Sequence, residues 1–205
     1  MKIVEIKPSK LHLNSVHLSD GQEVLLDKDV CAEHSLMTDM EIDSGELENL
    51  KFQSDYVRAK ARALWYLDRM DYSEKALFEK LTQKGFEKKA ASAVVAKFVE
   101  LGLLDDRRFG ERLCEKLLTS GSSKRAAMQK MYQKGLPYDL CRELLEENDS
   151  DEEDAILKLI EKKYAQKLGD KENYQKVYAA LVRRGFSYGD VSRALKKYLE
   201  DFSED

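Results

Sequence analysis

The period of hydrophobic and polar residues changes once along this chain, near residue 55. Before that point KIVEIK (2–7), LHLNSVHL (11–18) and EVLLDKDV (23–30) alternate and are rich in β-branched residues. Asp20-Gly21 supplies a hairpin turn between the second and third runs. The pattern predicts a β hairpin or three short strands within residues 1–50. So short a segment makes a marginal core, and the module is expected to lean on the helical body. Residues 37–50 are acidic and weakly patterned, which reads as a linker or a short helix.

From Asp55 onward the apolar spacing is helical. Three segments have the pattern of a first helix: Val57, Ala61, Leu64 and Leu67; Phe109, Leu113 and Leu117; Ile156, Ile160, Tyr164 and Leu168. Second helices recur at a constant interval as Leu77/Ala127/Val177, Phe78/Met128/Tyr178 and Leu81/Met131/Leu181. Third helices recur as Ala91/Cys141/Val191, Val94/Leu144/Ala194 and Val95/Leu145/Leu195. One buried face is written three times, so the fold is expected to be mainly α, a tandem array of three three-helix repeats. The expected boundaries are a β-rich module at 1–50, repeats at 55–104 and 105–149, and a third repeat with an acidic tail at 150–205. Phe98 and Val99, then Tyr198 and Leu199, extend the third-helix face. Asn148 and Asp149 stand there in the middle repeat, whose third helix should stop about a turn early. Ala127 is smaller than its counterparts and sets that repeat apart.

The second helices end in LTQKGF (81–86), MYQKGL (131–136) and LVRRGF (181–186). Glycine readily adopts the left-handed conformation that ends a helix, which places Gly85, Gly135 and Gly185 just past the C-cap. Phe86, Leu136 and Phe186 then fold back onto Leu81, Met131 and Leu181. The cations Lys84, Lys134 and Arg184 fall where positive charge favours the helix dipole, by about 0.3–1 kcal/mol at exposed sites. Ser73 and Ser187 are candidate N-caps, Pro137 suits a first turn, and Asp105-Asp106 caps the next first helix. The recurrent phrase is a helix stop.

A net charge of −4 conceals segregation. Residues 1–54 carry a net −6 and residues 56–142 a net +8. Residues 143–154 hold 8 acids and no base, residues 155–199 carry +7, and the last six residues hold four acids. Basic, repetitive helices suggest a partner that is anionic and periodic. The candidate contacts are Lys84, Lys88, Lys89, Arg107, Arg108, Lys124, Arg125, Lys134, Arg183, Arg184, Lys196 and Lys197. Trp65, Tyr66, Tyr132, Tyr138, Tyr174 and Tyr188 interleave with them and read as core or inter-repeat packing rather than base-stacking platforms. Interrupted basic patches argue against tight sequence-specific DNA reading and leave room for a weak contact with single- or double-stranded DNA.

Chemistry is otherwise sparse. No glycine-rich phosphate loop, H-E-x-x-H or G-x-S-x-G occurs, and no histidine follows His34. Glu152, Glu153 and Asp154 read as a solvated helix start. Cys31, Cys114 and Cys141 are far apart and read as buried thiols, and His12 and His17 as pointing to opposite faces of a strand. No enzyme, metal site or cofactor is expected. No apolar run approaches a membrane span, and the start lacks a signal-peptide layout, so an intracellular protein is expected.

Four stretches resemble the RecX family of RecA-recombinase regulators. They are RALWYLDRMDYSEKALFEKLTQKGF (62–86), GLLDDRRF (102–109), the second Lys-Gly at 134–135, and LVRRGFSYGDVSRAL (181–195). The resemblance covers residues 55–200. It implies three tandem three-helix repeats in an elongated curved array and no catalytic residues; a cytoplasmic, monomeric protein is expected. It also implies lodging in the groove of the RecA–DNA filament, with inhibition of strand exchange, ATP hydrolysis and coprotease action.

Overall fold

The computed structural model describes residues 1–148, 151–168 and 171–201, and it divides into two compact units, Met1–Asp105 and Asp106–Asp205. The first unit opens with β1 (Ile3–Pro8), β2 (Leu13–Leu18) and β3 (Glu23–Asp27), an antiparallel sheet in that order. Val16 of the central strand pairs with Ile6 on one side and Val24 on the other. The third apolar run does not continue as a strand to Val30. The Asp27 carboxylate accepts the Asp29 N–H and starts a short helix, α1 (Lys28–Glu33), that buries Val30 and Cys31.

Nor are residues 37–50 mainly a linker. Asp43 and Glu46 form a reciprocal capping box that starts α2 (Ser44–Leu67). Carboxylates in a first turn are stabilised by the helix dipole, so the acidity of this stretch marks a helix start. Leu47 and Leu50 then close the module's core with Ile3, Val16, Leu18, Leu26 and Ile42. Ser54 Oγ accepts the Asp27 N–H at 2.8 Å and fixes the sheet to the helix.

The second half of α2 packs with α3 (Glu74–Gln83) and α4 (Lys88–Glu100) as the first repeat. Its buried face is Ala59, Ala63 and Tyr66, not the expected one. Val57, Ala61 and Leu64 face solvent, and Leu67 is half-buried. Small residues let α2 approach α4 closely, so the larger side chains on the adjacent stripe are turned outward.

In the second unit the middle repeat comprises α5 (Asp106–Thr119), α6 (Lys124–Gln133) and α7 (Tyr138–Glu146). Ser123 caps α6 and Pro137 stands at the N-cap of α7. Helix α7 has 9 residues against 13 in α4, the early stop expected from Asn148; Asp149 lies outside the described residues. The third repeat comprises α8 (Glu152–Lys163), α9 (Ala165–Leu168), α10 (Lys171–Arg183) and α11 (Tyr188–Asp201). Its first helix is broken at Tyr164, where φ is −127°, although Ile156, Ile160 and Leu168 are buried as expected. The rest of the acidic tail, from 202, lies outside the described residues. Among the described residues no helix is long and apolar enough to cross a membrane.

Candidate functional site

The helix stops position the charges around them. Gly85, Gly135 and Gly185 have φ of +91°, +90° and +95°. Gly85 N–H donates to Thr82 O and Phe86 N–H to Leu81 O; Gly135 and Leu136 donate in the same way to Tyr132 O and Met131 O. Gly185 N–H donates to Val182 O at 2.9 Å. Leu81, Met131, Leu136, Leu181 and Phe186 are buried, while Phe86 is half-buried with the Arg58 guanidinium 5.6 Å from its ring centroid.

The three motif cations are not equivalent. Lys84 and Lys134 are exposed C-caps. Arg184 is half-buried, and its Nη1 donates to Ser120 O at 2.9 Å and Gly121 O at 3.2 Å, at the end of α5. In return Ser123 N–H donates to Arg184 O at 3.1 Å. A Cβ on Gly185 would lie 2.5 Å from Ser123 Oγ and 2.7 Å from Ala126 Cβ. The stop of the third repeat is thus seated on the start of α6.

Other candidate cations are also engaged within the protein. Arg107 donates to Glu143 and Glu147 at 2.7 Å and to Glu111 at 3.2 Å, and the first two carboxylates push its pKa still higher. It ties α5 to the end of α7. Lys124 Nζ donates to Asn148 O at 2.5 Å, and its backbone N–H to Glu152. Lys197 and Arg193 both reach Glu153 at 3.6 Å, and Lys196 reaches Glu200 at 3.7 Å. Arg108 is exposed, as are Lys88 and Lys89 at the start of α4, where Lys89 lies 5.1 Å from the Phe52 ring.

Arg125 and Arg183 differ from these. Both are exposed, neither makes an ion pair among the described residues, and they share a groove of about 580 Å³ with Met128, Gln129, Tyr132 and Tyr138. A second cleft of about 540 Å³ continues it through Gln129 and Arg183 and adds Lys130, Gln133 and Arg184. No carboxylate lines either. Tyr132 and Tyr138 are 55% and 58% exposed, and Trp65 and Tyr188 are exposed too; of the aromatics expected to pack, Tyr66 is buried and Tyr174 is half-buried against the core of the third repeat. Lys130, Gln129 and Gln133 were not among the residues expected from sequence. The signal was present: Arg125, Gln129 and Gln133 fall four apart on α6, a helix with no acid in it. A larger cleft of about 650 Å³, beside α8, mixes Lys158, Lys162 and Lys163 with Asp151, Glu152 and Asp154 and favours neither sign.

His12, Asp27 and Asp29 bring three potential ligand atoms within 4.8 Å of one another. Asp27 caps α1 and His12 Nε2 pairs with Asp29 at 3.1 Å, so helix capping and an ion pair account for the trio. His12 stands just ahead of β2 rather than on its face. All three cysteines are buried, and burial pushes each thiol pKa up.

The fold and this groove define a class: a tandem array of three-helix domains that presents cations and aromatic rings on helix faces and helix ends. The model of the first three-helix domain of RecX matches residues 59–98, and that of the third matches residues 151–195. Regulatory protein RecX of Clostridium tetani is 30% identical over 205 residues, covering 97% of this chain and 94% of the relative. That of Streptococcus gordonii is 27% identical, covering all of this chain and 79% of the relative. A crystal structure of regulatory protein RecX superposes with a TM-score of 0.62 at 19% identity, covering 96% of this chain and 98% of the other. RecX from Lactobacillus salivarius gives 0.60 at 20% identity, over 70% of this chain and 96% of the other. The chain belongs to the RecX family.

Proposed function

We propose that the protein is a non-catalytic regulator of homologous recombination and DNA repair. It binds the RecA–DNA filament and inhibits strand exchange, ATP hydrolysis and coprotease action. Family membership supports the activity, which acts in the cytoplasm on a filament assembled there. The carboxylate-free groove of Arg125, Lys130, Tyr132, Tyr138 and Arg183 carries the choice of contact surface. A filament repeats its anionic surface, so several modest contacts made by one chain combine through effective concentration. Titrating the protein into RecA hydrolysing ATP on single-stranded DNA tests the reading. Inhibition is expected at stoichiometric or lower ratios, and its absence there overturns it. Arg125→Glu with Arg183→Glu should weaken inhibition at least about tenfold while circular dichroism stays unchanged. The triple change of Lys84, Lys134 and Arg184 is a poorer test, since Arg184 also holds the end of α5.

A second reading is a direct nucleic-acid-binding module. Two exposed tyrosines beside two arginines combine a stacking surface with phosphate partners. Gel shifts across a salt series distinguish the two: steeply salt-dependent DNA binding with RecA turnover unaffected favours this one.

A further inference from the structure

The groove of Arg125 and Arg183 takes its walls from two different repeats. Arg125, Gln129, Lys130 and Tyr132 stand on α6 of the middle repeat, and Val182 and Arg183 on α10 of the third. The hydrophobic cores of these repeats are separate clusters, one built on Met131, Leu136 and Cys141 and the other on Ile160, Leu181 and Phe186. Among the described residues no common core holds the two walls at a fixed distance.

What joins them is a small, mostly polar seat. Arg184 Nη1 donates to Ser120 O and Gly121 O, and Arg184 O accepts the Ser123 N–H. The Lys124 N–H donates to Glu152 Oε1 at 2.7 Å, which ties the start of α8 to the start of α6. Two glycines permit the close approach. A Cβ on Gly185 would lie 2.5 Å from Ser123 Oγ, and one on Gly121, where φ is +86°, would lie 2.8 Å from Leu159 Cδ1 of α8. Any side chain at either position would wedge the seat apart. Gly85, at the matching motif position of the first repeat, has nothing within 4 Å of an added Cβ.

We infer that Arg184 and Gly185 are positioning residues of the groove. By seating the third repeat on the start of α6 they set Arg183 at one spacing from Arg125, so a partner must bring anionic groups to both repeats at that spacing. Adjacent arginines thereby differ in role: Arg183 meets the partner, and Arg184 meets the protein. The inference rests on the groove being the contact surface.

Gly185→Ala and Gly85→Ala impose the same left-handed strain, and the first alone wedges the seat. Spin labels on Lys116→Cys of α5 and Ser192→Cys of α11, both exposed, read the spacing of the two repeats; the three native cysteines are buried. The distance distribution should shift or broaden with Gly185→Ala and stay as in the parent with Gly85→Ala. In the titration of RecA ATP hydrolysis, Gly185→Ala should weaken inhibition at least about fivefold although both groove arginines are intact. Adding Arg125→Glu and Arg183→Glu to Gly185→Ala should weaken it by less than about threefold more, because a groove with the wrong spacing has little left to lose. A lowered folded fraction would instead multiply with the loss of the cations. Arg184→Ala adds no methyl group and replaces Gly185→Ala if circular dichroism shows that variant unfolded; it should change the distances and the inhibition in the same way. Unchanged distances, undiminished inhibition, or losses that multiply in full overturn the inference. A parent chain that leaves RecA turnover unaffected overturns the filament reading instead, and the distances alone then decide the seat.

Discussion

Gly85 and Gly185 occupy the same motif position with nearly the same backbone, yet an added methyl group would meet different surroundings. Nothing lies within 4 Å of a Cβ on Gly85, so Gly85→Ala carries the left-handed strain alone, roughly 1–2 kcal/mol. Gly185→Ala adds a clash with Ser123 Oγ and Ala126 Cβ, and overpacking of this kind costs about 1–3 kcal/mol more. Urea midpoints of the two variants should rank accordingly. Tyr66 Oη is buried without a hydrogen-bond partner among the described residues, so Tyr66→Phe should leave stability unchanged or raise it by up to about 1 kcal/mol. The cysteines give a third expectation. Burial raises each thiol pKa, so the native state holds its protons more tightly than the unfolded chain does. This contribution to stability is present below the ordinary thiol range and lost as pH rises past it. Iodoacetamide at pH 8 should label all three slowly in the native protein and rapidly in urea.

At the scale of elements, periodicity was a good guide to which helices exist and a weaker one to their faces. The second and third helices were legible because Leu81, Val95 and their counterparts are large, apolar and repeated. The first helix of repeat one was misread because alanine carries little hydrophobic weight, and Ala59 and Ala63 nevertheless form the buried face. The capping box at Asp43 was readable as D-x-x-E but was hidden by the acidity around it. The groove was half-legible: Arg125 and Arg183 were named among twelve cations, but separating them from Arg107, Lys124 and Arg184 required knowing where the carboxylates and carbonyl oxygens lie. Sequence spacing does not place Glu143 and Glu147 around Arg107, because that needs the turn between α6 and α7. One consequence can be measured. Arg184→Ala should destabilise the protein by about 1–2 kcal/mol, since charge-assisted bonds to two carbonyls are lost, whereas Lys84→Ala should be nearly neutral.

For the whole molecule, the β module and the first repeat share a helix. Removing residues 1–50 would therefore cut α2 within its first two turns and take Leu47 and Leu50 from the module's core. Removing residues 1–42 would leave those leucines uncovered. Both truncations should lower the thermal midpoint, and a truncated chain that melts like the full one would show that α2 holds its place without the sheet.

The seating of Gly185 on Ser123 and Ala126 also separates the three copies by which half of that fit each one carries. It is a plug in a socket: a glycine turn on one side, and a serine followed three positions later by alanine on the other. Ser73 and Ala76 write the same socket into repeat one, where Ser73 Oγ accepts the Ala76 N–H. Fifty positions beyond Ser123 and Ala126, the third repeat has Asn173 and Lys176, with Lys176 Nζ directed at Asn173 Oδ1. Of the three copies, the third carries the glycine plug without the serine–alanine socket that the other two have.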